Sequence, residues 1–189
     1  MRDRVELAVP GAVVGAVGGL IAGGLSAVVG HPFGWAVTTA LAMAVPLGLL
    51  GGGYGLLAGS GRFRLGVFAP AALYWLIGFP LARLVAESST GFLLGGGFTP
   101  PADVLGFLAY QGIVSFGWAI GFLWLHERIA PHWLDHVRSR NALAQQWYER
   151  YVTHARVLRD ASARARRRRG TVVESPAAKS PAAKSPAAK

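Results

Sequence analysis

The chain has 189 residues, 52% of them hydrophobic and only 15% charged, yet its formal net charge is +10. A water-soluble globule of this size needs more charge to cover its surface, and no Asp, Glu, Lys or Arg occurs from Leu7 to Gly61. These figures exclude a water-soluble single domain, and over the first 125 residues they also exclude a disordered nucleic-acid-binding chain.

The charge is segregated. Residues 1–125 hold five Arg and four acids, a net of +1, whereas residues 126–189 hold eleven Arg, three Lys and five acids, a net of +9. Arg outnumbers Lys sixteen to three, and with heavy Ala, Gly and Val usage this matches the products of GC-rich bacterial genomes. The chain has no Cys, so disulfides, thiolate nucleophiles and thiolate metal ligands are excluded.

Hydropathy predicts four membrane spans, at about 7–29, 35–58, 65–85 and 104–125, each with the roughly 20 residues that cross a bilayer core. Gly30-His31-Pro32, Gly59-Ser60-Gly61 and Pro100-Pro101 punctuate them. The first apolar run is too long for a cleaved leader and is followed by three more, so it reads as an uncleaved anchor. Arg2 and Arg4 precede the first span, Arg62 and Arg64 separate the second from the third, and the Arg-rich region follows the fourth. The positive-inside rule therefore predicts a multi-pass protein of the cell membrane with both termini cytoplasmic. Arg83 dissents, near the outer end of the third span. It stands four residues before Glu87, a spacing that allows a helical ion pair.

In the first span Gly11, Gly15, Gly19 and Gly23 recur every four residues, the glycine-zipper spacing. Residues four apart share one helical face, so another backbone can approach that face closely. The second span carries Ala40, Ala44, Gly48 and Gly52 in the same rhythm, with Gly51 and Gly55 beside them, and the fourth adds Gly117 and Gly121. This predicts tight helix packing, either inside one bundle or between copies or partners. Pro10, Pro46, Pro70 and Pro80 lie in or at the edges of spans and are expected to shape the bundle. Gln111 and Ser115, four apart, are candidates for hydrogen bonds across helices. No ionisable group lies well inside a span, which disfavours a proton-coupled pump. The loop at 87–103 is apolar enough for Phe92 to Phe98 to touch the interface.

Beyond the spans, residues 126–169 are expected to form a basic cytoplasmic helix, uninterrupted from Pro131 to Arg169. Val137, Ala144, Tyr148, Tyr151, Ala155 and Leu158 form its apolar stripe, widened by Trp147 and Val152. Arg138, Arg140, Arg150, Arg156, Arg159 and Arg164 take other faces, and Arg166, Arg167, Arg168 and Arg169 end it. A basic amphipathic helix of this kind can lie on anionic lipid or pair as a coiled coil. The residues expected to bind lipid, nucleic acid or an acidic protein are Arg156, Arg159, Arg164, Arg166 to Arg169, and the tail residues Lys179, Lys184 and Lys189.

The tail repeats Ser-Pro-Ala-Ala-Lys three times, from Ser175 to Lys189. Proline every fifth residue precludes a helix or a core, so residues 170–189 are expected to be disordered. The repeat resembles the Lys/Ala/Pro-rich tails of linker histones and of some actinobacterial DNA-associated proteins. That resemblance implies contact with DNA phosphates without sequence readout; a solubilising tail is the alternative.

Catalytic constellations are not apparent. His126-Glu127 lacks a second His at position 130, which is Ala, and Gly51-Gly52-Gly53 lacks the Lys-Ser/Thr of a phosphate loop. His132 and His136 have metal-ligand spacing but no third ligand in register, because Pro131 is expected to break the helix between them and His126.

The chain thus reads as an all-α integral membrane protein: a four-transmembrane-helix bundle (1–125), a basic amphipathic helix (126–169) and a disordered basic tail (170–189). The expected function is non-enzymatic and cofactor-free. The protein would anchor or organise a complex at the cytoplasmic face, through a Gly-rich helix interface and an Arg-rich arm, as a homo-oligomer or within a larger membrane complex. A small oligomeric pore or transporter component is one alternative, and a membrane tether for DNA is another.

Overall fold

Long runs of Leu, Val, Ala and Gly without charge can satisfy their own backbone only as helices where water is absent. In a computed structural model, which describes residues 1–63 and 67–173 and side chains as far as residue 166, every regular element is helical. The helices are α1 Arg2–Val28, α2 Phe33–Gly59, α3 Phe68–Leu93, α4 Val104–Val137 and α5 Ala142–Val173. The first four are long and apolar enough to cross a membrane. Residues 1–151 form one compact unit and residues 152–189 a second, described only as the remainder of α5.

Three of the helices end in the same way. Gly30, Gly61 and Gly95 follow α1, α2 and α3 with φ of +91°, +81° and +86°. At each end the glycine N–H returns three residues, Gly30 to Ala27 O, Gly61 to Ala58 O and Gly95 to Phe92 O. The next N–H returns five, His31 to Ser26 O, Arg62 to Leu57 O and Gly96 to Gly91 O. These are Schellman closures, which satisfy carbonyls that would otherwise be orphaned and which need a residue without Cβ at the left-handed position. α4 starts on Asp103, whose Oδ1 accepts from Gly106 N–H at 2.9 Å.

α1 packs on α2, α2 on α3, α3 on α4, and α4 returns to α1. The α1–α2 contact is the closest. A Cβ on Gly11 would overlap the Gly51 carbonyl, one on Gly15 the Leu47 carbonyl, and one on Gly19 the Ala44 backbone. At Gly23 it would stand 2.5 Å from the Ala40 Cβ. The face carrying all four glycines is thus occupied by α2 of the same chain. On α2, Gly51 and Gly55 make the tight approaches, whereas Gly48 and Gly52 stand at ordinary contact distance from Ala8, Ala12 and Ala16. The expected packing role of Gly117 and Gly121 is corrected within this bundle: both lie on the exposed side of α4 with nothing within 4 Å of a Cβ.

Where α1 and α2 close up, the rest of the interior needs large side chains. Trp75, Phe122, Tyr54 and Phe79 are buried there. The Trp75 and Phe122 rings lie 4.6 Å apart, and Tyr54 meets Phe122 edge-on at 5.1 Å. The Tyr74 hydroxyl donates to Leu50 O at 2.6 Å and so ties α3 to α2. Ser115 does not bond across helices as expected; its hydroxyl turns back to Gly112 O at 2.6 Å, the local partner always within reach of a helical Ser. Arg83 does pair with Glu87, at 3.5 Å, and its other nitrogen meets the Met43 sulfur, also at 3.5 Å.

Three boundaries differ from the sequence reading. α3 starts at Phe68 rather than near residue 65 and runs on to Leu93, taking Glu87 to Thr90 out of the loop expected at 87–103. α4 continues through Pro131 to Val137 instead of ending near residue 125. Proline in a helix interior costs about 3 kcal/mol, but Leu134 and Val137 beyond it are fully buried, each contributing about 1.5–3 kcal/mol. The continuous helix expected over 131–169 is therefore divided, with a turn at 138–141 before α5. Residues 170–173, expected to be disordered, are helical, and the repeats of the tail lie outside the described residues.

Candidate functional site: the basic end of the bundle

Both the start of α1 and the α4–α5 turn lie at one end of the bundle, and Asn141 joins them. Its Oδ1 accepts from Leu143 N–H at 3.0 Å and Ala144 N–H at 3.1 Å, the N-cap of α5. Its Nδ2 donates to Asp3 O and to Glu6 Oε2, both at 2.9 Å. All four hydrogen-bonding positions of the amide are used, and only this orientation of O and N satisfies both sides. Asn141 is fully buried.

Glu6 is the ionic centre of the junction. Arg140 Nε reaches its Oε1 at 3.2 Å from the turn, and Arg2 Nε approaches the same oxygen at 3.6 Å from one helical turn earlier. The Trp133 indole donates to Glu6 O at 2.8 Å. A carboxylate with little contact to water is tolerable here because two guanidinium groups and an amide surround it. Arg138 pairs with Asp135 at 2.9 Å and lies over the Tyr148 ring at 4.7 Å, which stiffens the turn from its outer side.

The first turns of α5 belong to the core rather than to solvent. Ala144 and Trp147 are fully buried, and a Cβ on Gly59 would meet the Trp147 ring at 3.2 Å. Burying a Trp removes about 150–250 Å² from water, a gross gain of about 4–6 kcal/mol. Arg150 Nη1 donates to Gly59 O at 3.3 Å. Burial, and secondarily the Glu127 carboxylate, push the Tyr151 phenol up, so it stays neutral. Trp147 and Tyr151 belong to the apolar stripe expected from the sequence, whereas Glu6 and Asn141 were not among the expected site residues.

Past residue 151, Arg156, Arg159, Arg164 and Arg166 are exposed, as are Val157 and Leu158. Arg167, Arg168 and Arg169 lie within α5, and Lys179, Lys184 and Lys189 fall outside the described residues. His132 and His136 are exposed on the last turns of α4, with His132 Nδ1 2.8 Å from Arg128 O and the His136 ring 6.3 Å from Trp133. Pro131 does not separate them from His126 by breaking the helix. Instead His126 faces inward, between the rings of Phe122, Tyr54 and Trp147. Among the described residues no three His, Asp or Glu side chains gather as metal ligands.

No family model, curated protein or solved structure matches the chain. At the opposite end a cavity of about 340 Å³ opens between α1, α2 and α3, lined by Ser26, His31, Thr39, Arg83, Glu87 and Thr90. Its one arginine is already matched by Glu87, so its charge is balanced internally.

Proposed function

We propose that this chain is a non-enzymatic, multi-pass cell-membrane protein that organises a complex at the cytoplasmic face, the four-helix bundle serving as anchor and α5 as the recruiting arm for an acidic partner. The observation that carries this reading is the dual character of α5. Its first turns are built into the bundle through Asn141, Ala144 and Trp147, while Arg156, Arg159, Arg164 and Arg166 are all exposed. A helix held firmly at its root can present charge without losing the ordering entropy that a free segment loses on binding. The glycine face of α1 is taken up internally, so recruitment falls to the arm.

Deleting residues 162–189 should abolish capture of the partner in mild detergent, and capture by the intact chain should weaken steeply with salt. Capture that survives the deletion, or that ignores salt, defeats the proposal. Recovery of DNA as the captured species would favour the tethering alternative, and ion conductance in liposomes would favour the pore.

Orientation has its own test, because the natural chain has no Cys. With both termini cytoplasmic, Phe98→Cys reacts with a membrane-impermeant maleimide on intact cells, whereas Ser60→Cys reacts only after lysis. The reverse pattern would invert the topology.

A further inference from the structure

At the basic end a groove of about 480 Å³ opens between the start of α1, the end of α2 and the start of α5. Arg4 and Arg62 stand on its rim, and Leu7, Leu56, Leu57 and Leu143 line it. Leu56 and Leu143 are exposed despite being large and apolar. Cavities of about 300–1,000 Å³ are the usual size for small-molecule sites.

The arginines around it are not equivalent. Arg2 and Arg140 are matched by Glu6, and Arg138 by Asp135. Arg128 lies over the Trp124 ring, and Arg150 donates to Gly59 O. Arg4 and Arg62 are exposed, and neither has an acidic partner among the described residues. Asp3 and Glu6, the carboxylates of the same helical turn of α1, do not line the groove. The groove therefore offers two unmatched cations above a leucine-lined wall.

We infer that this groove binds an anionic phospholipid, with the phosphate between Arg4 and Arg62 and the upper acyl chain over Leu56, Leu57 and Leu143. Guanidinium groups pair with phosphate oxygens through several parallel N–H donors, and the leucines remove the adjoining methylenes from water. A soluble phosphate would satisfy the arginines but leave those leucines uncovered. The inference rests on the membrane reading, with the basic end at the anionic inner leaflet, and it is separate from partner recruitment by the arm.

The test is native mass spectrometry of the full chain released from nanodiscs of mixed phosphatidylglycerol and phosphatidylcholine. The intact chain should retain phosphatidylglycerol in preference. Arg4→Gln with Arg62→Gln should reduce that retention roughly thirtyfold, the combined effect of two basic groups beside an anionic headgroup. Arg4→Lys with Arg62→Lys should keep most of the preference, and Arg128→Gln, at an exposed arginine that does not line the groove, should leave it intact. Equal retention by the Gln pair overturns the inference, as does equal retention of phosphatidylcholine by the intact chain. Displacement of the lipid by inorganic phosphate alone also overturns it, since the leucine wall would then contribute nothing. A chain that fails to enter nanodiscs overturns the membrane reading itself, whereas an incorporated chain without lipid preference overturns only the groove.

Discussion

Gly15→Ala should lower the melting temperature of the detergent-solubilised bundle, and Gly15→Leu should prevent recovery of folded, monodisperse protein. The added Cβ would overlap the Leu47 carbonyl, and a backbone carbonyl in a helix cannot swing aside as a side chain can. Overpacking of this kind costs about 1–3 kcal/mol for one methyl and more for a full side chain. At roughly 2–4 °C per kcal/mol, the Ala variant should be easily resolved by thermal unfolding. The sign of the control makes the test sharp. Gly24→Ala, on the same helix, meets nothing within 4 Å and gains up to about 1 kcal/mol of helix propensity, so it should be neutral or stabilising. Gly117→Leu, also in open space, should leave the monomer intact. If Gly15→Ala behaves like Gly24→Ala, the packing of α1 against α2 is wrong.

Asn141→Ala should destabilise the basic end by about 2–4 kcal/mol, combining a lost N-cap with a buried carboxylate deprived of a donor. Amide hydrogen exchange at the start of α5 and at Asp3 to Leu7 reads this directly, and unchanged protection at both places would contradict it. Asn141→Asp is more informative. It keeps the capping oxygen but sets a second carboxylate against Glu6, where Nδ2 had donated at 2.9 Å. Two adjacent carboxyls hold a proton more tightly folded than unfolded. A group whose folded pKa is raised gains stability as pH falls, so the deficit of this variant should shrink toward acid. A deficit independent of pH would mean that the added carboxylate does not face Glu6.

Much of the bundle is legible in residue order, for physical reasons that also mark where reading stops. Four long apolar runs, whose only charged residue is Arg83, predict four helices, and glycines at every fourth position predict a close-packed face. Which stripe of α2 meets that face is not readable. Gly51 and Gly55 lie about 60° round the helix from Gly48 and Gly52, and only the fit of α1 chooses the second pair. Pro131 misleads because a local cost is outweighed by burial of Leu134 and Val137 in the core, which appears only once the helices are assembled. Asn141 was legible in principle, as a strong capping residue placed before Ala-Leu-Ala. It is easily passed over because no Gly or Pro accompanies it. Glu6 shows locally only its four-residue spacing from Arg2, since the partners that make it a junction lie 134 and 135 positions away.

That separation has a temporal meaning. Glu6 leaves the ribosome 135 residues ahead of Asn141, which follows only after all four long helices have been made. Until then the α1 carboxylate has Arg2 alone for company, and α5 has no fixed root. The junction therefore closes only on completion: a chain truncated or stalled in α4 lacks Arg140 and Asn141, and with them the root of α5.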